Sequence, residues 1–372
     1  MENSNIKILI AGDFVPPENV HQLNFKDLCG IIELSDFSLL NLEAPITNTT
    51  NSIKKLGSLH KGQPQSVSII KDTGFNAVCL ANNHIMDYGL TGLLDTIQVC
   101  HDNSLLIVGA GNVESYNRPL IVENNHTKIC ILNYCENEFS SAKLHGYGAN
   151  PLDIVSNYYD IVKAKQTADI VIVIIHGGRE YHHFPLPYFK RICEFYIDAG
   201  ADAIVGHHPH YFGGYTYYKG KPIFFSLGNL YMNSNRNDAK QNISYVLILN
   251  FRNQSITHNI VGIKKDDSLL RLMNMTEQNQ LLEQIYSINE IINDNEKLVN
   301  YWDSQKKEFD YYLRIFRFRN KWLYKIFKRL PVLPLKPFNS YSLIMQNLIQ
   351  CESHRELFLR TLINLNQPFE RE

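Results

Sequence analysis

The sequence has almost no charge of either sign to spare: 36 Lys and Arg stand against 37 Asp and Glu, for a formal net charge of −1. That balance argues against an overall nucleic-acid-binding surface. The 7 cysteines are scattered, and no two form a C-x-x-C pair. A disulfide framework and a thiolate zinc site are therefore not expected, and the reducing cytoplasm is the expected compartment. No uninterrupted apolar run reaches the roughly 20 residues that a membrane-spanning helix needs. The opening MENSNIKILIAGD lacks the basic and long apolar regions of a signal peptide. Any membrane contact is expected at the surface, on the inner face.

What the chain does have is enough apolar residues, 44% of 372, for one large core with an appendage. It is organised around residues 171–210. The β-branched run Val171 to Ile175 ends at His176. Ala203 to Val205 ends at Gly206, followed by His207, His208 and His210. Between them Pro185 to Ala199 reads as a helix, with Gly200 placed to end it. Two buried strands thus deliver imidazoles from their carboxyl ends, where open α/β sheets place ligands.

The rest of the chain repeats this pattern. Ile6 to Ala11 reads as a strand ending at Gly12-Asp13, and residues 18–34 as a helix. Ser38 to Leu42 is a strand with Asn41 and Glu43 at its end. Residues 46–63 read as a loop over the site, and Gln65 to Asp72 as a short helix. Phe75 to Ala81 delivers Asn82, Asn83 and His84. Asp87 is placed to cap a helix with Leu90, Leu93, Leu94 and Ile97 on its apolar face. Leu105 to Val108 and Lys128 to Tyr134 are further strands, and 152–167 a helix. Strand–helix alternation of this kind predicts an α/β fold with parallel pairing through most of the core. Two later hairpins, 215–227 and 243–263, predict mixed sheets, two of them stacked and flanked by helices.

Residues 1–265 read as one domain and 266–372 as a helical C-terminal region. In the latter, 269–300 reads as helix and about 340–364 as a closing helix carrying Leu343, Leu348, Leu357 and Leu362. Between them, 311–336 holds eight Lys or Arg and no acid, interleaved with aromatics. Such a segment fits either docking on an anionic membrane surface or packing of its aromatics on the main domain. No nucleic-acid-binding module accompanies it.

Asp13, Glu43, Asn83, His84, His176, His208 and His210 each follow an apolar strand. If those strands lie side by side, the side chains form a metal-binding pocket. Imidazole with carboxylate suits one or two ions of manganese, iron or zinc. His207 reads as a supporting residue. Arg179 either pairs with Glu180 or offers its planar fork to an anionic substrate. His182 and His183 read as wall or lid residues, and Asn229 as a loop stabiliser near the site.

In order and type these residues resemble the CapA family of bacterial capsule and poly-γ-glutamate synthesis proteins, PGA_cap. That family lies in the calcineurin-like metallophosphoesterase superfamily. The matching blocks are Gly12-Asp13, Asn41-Leu42-Glu43, Ala81-Asn82-Asn83-His84, His176-Gly177-Gly178-Arg179-Glu180-Tyr181, His208-Pro209-His210 and Ser226-Leu227-Gly228-Asn229. One block alone is weak; their order across residues 6–262 is specific. The resemblance implies a four-layer αββα sandwich of metallophosphatase type. It implies that Asp13 and His210 hold a first metal, that Asn83, His176 and His208 hold a second, and that Glu43 bridges them. It makes His84 the catalytic acid or electrostatic stabiliser over the leaving group. Asn41, Asn82, Glu180, His207 and Asn229 would support the ligands or meet substrate. The superfamily's opening Asp-x-His has Val15 here in place of the histidine.

The implied function is a metal-dependent hydrolase using metal-activated hydroxide, acting on an anionic small molecule or surface polymer in capsule or exopolysaccharide biosynthesis. The rival reading is a non-catalytic or weakly catalytic component of a membrane-bound capsule or polyglutamate synthesis complex. A metal-free enzyme with Asp13 and Glu43 as acid and base leaves the histidines unexplained.

Overall fold

A computed structural model describes residues 5–17, 23, 25–124, 126–232, 238–252, 255–266, 269–305 and 339–366. The basic aromatic segment 311–336 lies outside the described residues, as do 18–22 and 24 of the helix expected over 18–34.

In chain order the strands are β1 (Asn5–Phe14), β2 (Phe37–Leu42), β3 (Ala77–Cys79), β4 (Leu106–Val108), β5 (Ala110–Asn112), β6 (Leu120–Asn124), β7 (Thr127–Cys135) and β8 (Tyr147–Ala149). They continue as β9 (Ile170–His176), β10 (Ala203–His207), β11 (Tyr215–Tyr218), β12 (Lys221–Phe224), β13 (Asn229–Tyr231), β14 (Ile243–Arg252), β15 (Ser255–Asp266) and β16 (Leu269–Leu272). The helices are α1 (Lys26–Ile32), α2 (Gln65–Thr73), α3 (Gly89–Asp102), α4 (Ala142–His145), α5 (Ile154–Thr167), α6 (Pro187–Asp198), α7 (Met275–Ile292), α8 (Asn295–Asp303), α9 (Asn339–Gln350) and α10 (Glu352–Asn366).

The fold is α/β, with two mixed sheets flanked by helices and a helical C-terminal extension. One sheet runs β16-β15-β14-β1-β2-β3-β4, with β13 also paired to β1. The other runs β11-β12-β10-β9-β7-β6. Pairing is parallel from β1 through β4 and among β7, β9, β10 and β12, and antiparallel at the outer strands. The period-2 alternation of β1 divides the core. Ile6, Ile8 and Ile10 pack with β7, β9, β10 and α6. Leu9 and Ala11 pack on the other side with Leu28 of α1, Val67 of α2 and Leu93 of α3.

Both sheets therefore present strand carboxyl ends at one edge, and close backbone approach tightens it. Asp13 N–H donates to Gly228 O at 3.0 Å. A Cβ on Gly12 would sit 2.0 Å from that same oxygen, so only glycine lets β1 meet the turn before β13.

Several elements depart from the sequence reading. Leu269–Leu272 is a strand paired with β15, and the helical stretch beyond it is two helices, each opened by an asparagine or aspartate cap. L-L-R-L fits both periods, so the free edge of β15 decides. The closing helix is likewise two, parted at Cys351. The strand expected over 75–81 is only Ala77–Cys79, and on α3 Leu90 and Leu94 are exposed whereas Leu93, Thr96 and Cys100 are buried.

The C-terminal helices share the main core. Leu281, Ile285, Ile288, Ile292, Leu298, Trp302, Leu348 and Leu357 belong to the same apolar cluster as β9 and β10. Trp302 is fully buried, and its Nε1–H donates to Pro185 O at 2.8 Å. The start of α10 docks on the segment after β7. Ser353 Oγ donates to Glu136 at 2.7 Å, and Glu352 accepts from Asn137 N at 2.9 Å. Among the described residues no helix is long and apolar enough to cross a membrane.

Candidate metal centre

Asp13 ends β1, Asn41 and Glu43 end β2, and Asn83 and His84 follow β3. His176 ends β9, and His208 and His210 follow β10. All are buried, and all but His84 meet in one cluster. His208 and His210 hold positive φ of 97° and 60°, a conformation that the tight turn after β10 imposes on them.

Asp13 is tightly held. It accepts from Asn41 Nδ2 at 2.8 Å, from the His208 backbone N–H at 3.1 Å, and lies 3.1 Å from His207 Nδ1. Burial raises its pKa, but the His207 and His210 contacts outweigh burial and hold it well below the usual range. His176 Nε2 lies 3.0 Å from Asn83 Oδ1, 3.1 Å from His208 Nδ1 and 3.5 Å from Glu43 Oε1. His210 Nδ1 lies 3.0 Å from Asn229 Oδ1, 3.5 Å from Asp13 and 3.8 Å from Glu43 Oε2.

The donors fall into groups whose ligand atoms lie within 4.8 Å of one another: Asp13, Glu43 and His210; Glu43, His176 and His208; and Glu180, His208 and His210. The first two groups share Glu43.

Two observations fit this cluster to divalent cations. Glu43 is fully buried, yet neither carboxylate oxygen accepts a hydrogen bond from a described residue. A buried, unpaired carboxylate is costly unless a cation neutralises it. Burial accordingly pushes the Glu43 pKa well above its usual range. The imidazoles tell the same story. Burial drives His176 well below its usual value and His208 down to about 4, which leaves both neutral, the form that ligates metal. His210 is different. Burial opposes its charge, but Glu43 and Asp13 outweigh burial and push it up to about 10. Its charge faces the Asp13 carboxylate 3.5 Å away, a balance that a divalent cation would take over.

His84 lies beside this cluster. Its Nδ1 is 2.7 Å from Asp87 Oδ2 and 3.2 Å from Lys55 Nζ. Lys55 also donates to Asp87 Oδ1 at 2.5 Å and to Asn83 O at 3.0 Å. The His60 ring lies tilted against that of His84, centroids 4.1 Å apart, and its backbone N–H donates to Asp87 at 2.7 Å. The loop over 46–63 thus supplies Lys55 and His60 to the site. Asp87 does not cap α3, where Tyr88 stands at the N-cap without a side-chain bond. Buried between Lys55 and His84, it fixes the histidine instead. The Asn-His-x-x-Asp spacing was the available signal for Asp87; Lys55 and His60, in an aperiodic loop, carried none.

Asn82 sits behind the cluster, donating to Leu42 O at 2.8 Å and to Asn41 Oδ1 at 3.3 Å. Arg179 and Glu180, on the loop after β9, are half-buried at the site's margin. His182 and His183 face away into structural contacts, with Tyr301 OH at 2.9 Å and Phe212 O at 2.7 Å respectively.

This is an α/β protein with a buried cluster of imidazole, carboxylate and carboxamide donors capable of binding metal. Residues 7–234, more than half of the chain, match the family described as bacterial capsule synthesis protein PGA_cap, and the chain belongs to that family. The PGA biosynthesis protein CapA of Bacillus subtilis (strain 168) is 35% identical over 204 residues, 54% of this chain and 54% of that protein. The capsule biosynthesis protein CapA of Bacillus anthracis is 30% identical over 247 residues, 61% of this chain and 60% of that one. The chain thus spans somewhat over half the length of these curated relatives. A solved putative 5'-nucleotidase from Staphylococcus aureus aligns over 81% of this chain and 59% of that one, at 14% identity and a TM-score of 0.49. That likeness is too low to add to the assignment.

Proposed function

We propose that this protein is a metal-dependent hydrolase of the metallophosphoesterase kind, with a four-layer αββα catalytic domain over 1–265, acting in capsule or exopolysaccharide biosynthesis. The observation that carries the reading is the pair of donor groups sharing the orphaned carboxylate of Glu43. In this reading Asp13 and His210 would hold one ion and Asn83, His176 and His208 a second, with Glu43 common to both donor groups. Bound manganese, iron or zinc would supply Lewis acidity to an attacking water and to the scissile group's oxygen.

The chain's own residues do the rest. Asn41 and His207 aim the Asp13 carboxylate, and Asn229 aims His210. Asn82 braces the turn carrying Asn83 and His84, its Oδ1 accepting from His84 N–H at 3.2 Å. Asp87 and Lys55 hold the Nδ1 side of His84, so Nε2 is the atom that exchanges a proton with the leaving group. Arg179 receives the anionic part of the substrate, a phosphoester or an ester or amide of a surface polymer. Residues 266–372 form an extension whose basic stretch 311–336 docks on the anionic inner face of the cytoplasmic membrane, and the names of the Bacillus relatives fit a place beside a capsule synthesis complex.

The test is hydrolysis of p-nitrophenyl phosphate and bis-p-nitrophenyl phosphate by manganese-loaded protein, then of surface-polymer esters and amides. His84→Ala should lower turnover by about 10²–10⁴-fold with metal content unchanged. Val15, apolar and buried against Ala44 and Met232, favours a second reading, a non-catalytic assembly component. That reading wins if capsule output survives His84→Ala but is lost on deletion of 311–336.

A further inference from the structure

The Asp13–Glu43–His210 group offers only three protein donors, and the side chain two residues beyond Asp13 is the apolar Val15. Hard or borderline divalent ions take more donors than that, some of them water. A further carboxylate stands close by. Glu180 places an oxygen within 4.8 Å of ligand nitrogens of both His208 and His210. Each of these histidines also belongs to a group containing Glu43, so Glu180 stands beside one member of each of those groups.

Its position is built rather than incidental. Gly178 takes φ of +108° and Tyr181 takes φ of +64°, which turns the chain back toward β10. Tyr181 N–H then donates to Pro209 O at 2.8 Å, between the two histidines. The Tyr181 ring lies 5.8 Å from that of His210. The loop after β9 is thereby tied to the very turn that carries the ligands, with Glu180 next to the tie.

We propose that Glu180 is a direct metal ligand, the carboxylate that closes the centre on its half-buried side. The inference rests on the metal-centre reading above. It makes Glu180 part of the metal shell, where its neighbour Arg179 remains a substrate contact.

The experiment is cobalt(II) titration of metal-free wild type, Glu180→Gln and Glu180→His, followed by calorimetry and by visible absorption, with circular dichroism to show that each variant is folded. Loss of a ligand should weaken one ion by about 100-fold or more, at or beyond the roughly 10–100-fold effect of a merely supporting residue. It should also change the cobalt band. Glu180→His, which can still ligate, should retain affinity to within about tenfold and shift the band as nitrogen replaces oxygen. An unchanged cobalt spectrum in Glu180→Gln, whether or not affinity falls, overturns the proposal while leaving the metal centre standing. Failure of the wild type to bind cobalt at all overturns both.

Discussion

Glu43→Gln should reverse the stability order of variant and wild type, depending on whether metal is present. In chelator, wild type must keep a fully buried carboxylate to which no described residue donates a hydrogen bond. Its folded pKa lies well above the ordinary 4.5 because burial outweighs the attraction of His210. The folded protein therefore binds more protons than the unfolded one. Wild-type stability falls as pH rises from about 4.5 toward the raised value, and the variant lacks that loss. One effect opposes this: His210 loses a carboxylate neighbour, but Asp13 remains 3.5 Å away. The raised pKa of Glu43 decides the balance. We expect apo Glu43→Gln to be about 1–3 kcal/mol more stable than apo wild type near neutral pH. Manganese at 100 times its Kd should add about 2.7 kcal/mol to wild type and far less to the variant. Urea unfolding, with chelator and with manganese, reads both numbers. A variant less stable than wild type in chelator, with equal gains from manganese, would refute the reasoning.

Two further outcomes follow from the fold. Trp302→Ala removes a ring that is 0% exposed and its bond to Pro185 O, and should cost about 3–5 kcal/mol in the same unfolding assay. A loss under about 1 kcal/mol would mean that α7 and α8 fold apart from the core. Glu277, held down to about 2 by Arg271, contributes stability that is present above its ordinary 4.5 and lost as pH falls toward 2. Glu277→Gln should flatten the stability profile over that acid window, and an unchanged profile would show that the surface pair contributes nothing measurable.

The sequence was most legible where one apolar face or run meets a polar stop. Val171 to Ile175 and Ala203 to Val205 could only be buried strands, so His176 and His208 had to emerge at their ends. The same logic located Asp13, Glu43 and Asn83. It failed where pattern is short or absent. Leu269–Leu272 fits either period, and pairing with β15 settles it as strand. On α3, Leu90 and Leu94 match the helical period but are exposed, because Gly92, Leu93, Thr96 and Cys100 are the residues that pack inward. Asp87 stood where a helix cap belongs, and only the buried Lys55 arriving from a distant loop shows why it serves His84 instead. Lys55 and His60 were illegible because a loop's path is fixed by its anchors, here the Ile46–Gly62 bridge and the Ile53 N–H bond to Asp87 O at 2.9 Å.

The most direct test of the central claim is elemental analysis of protein purified without chelator, beside a His208→Ala/His210→Ala variant. Two groups sharing Glu43 predict close to two equivalents of manganese, iron or zinc in wild type and their loss in the variant. No specific metal in wild type, even after incubation with each ion, would contradict the account.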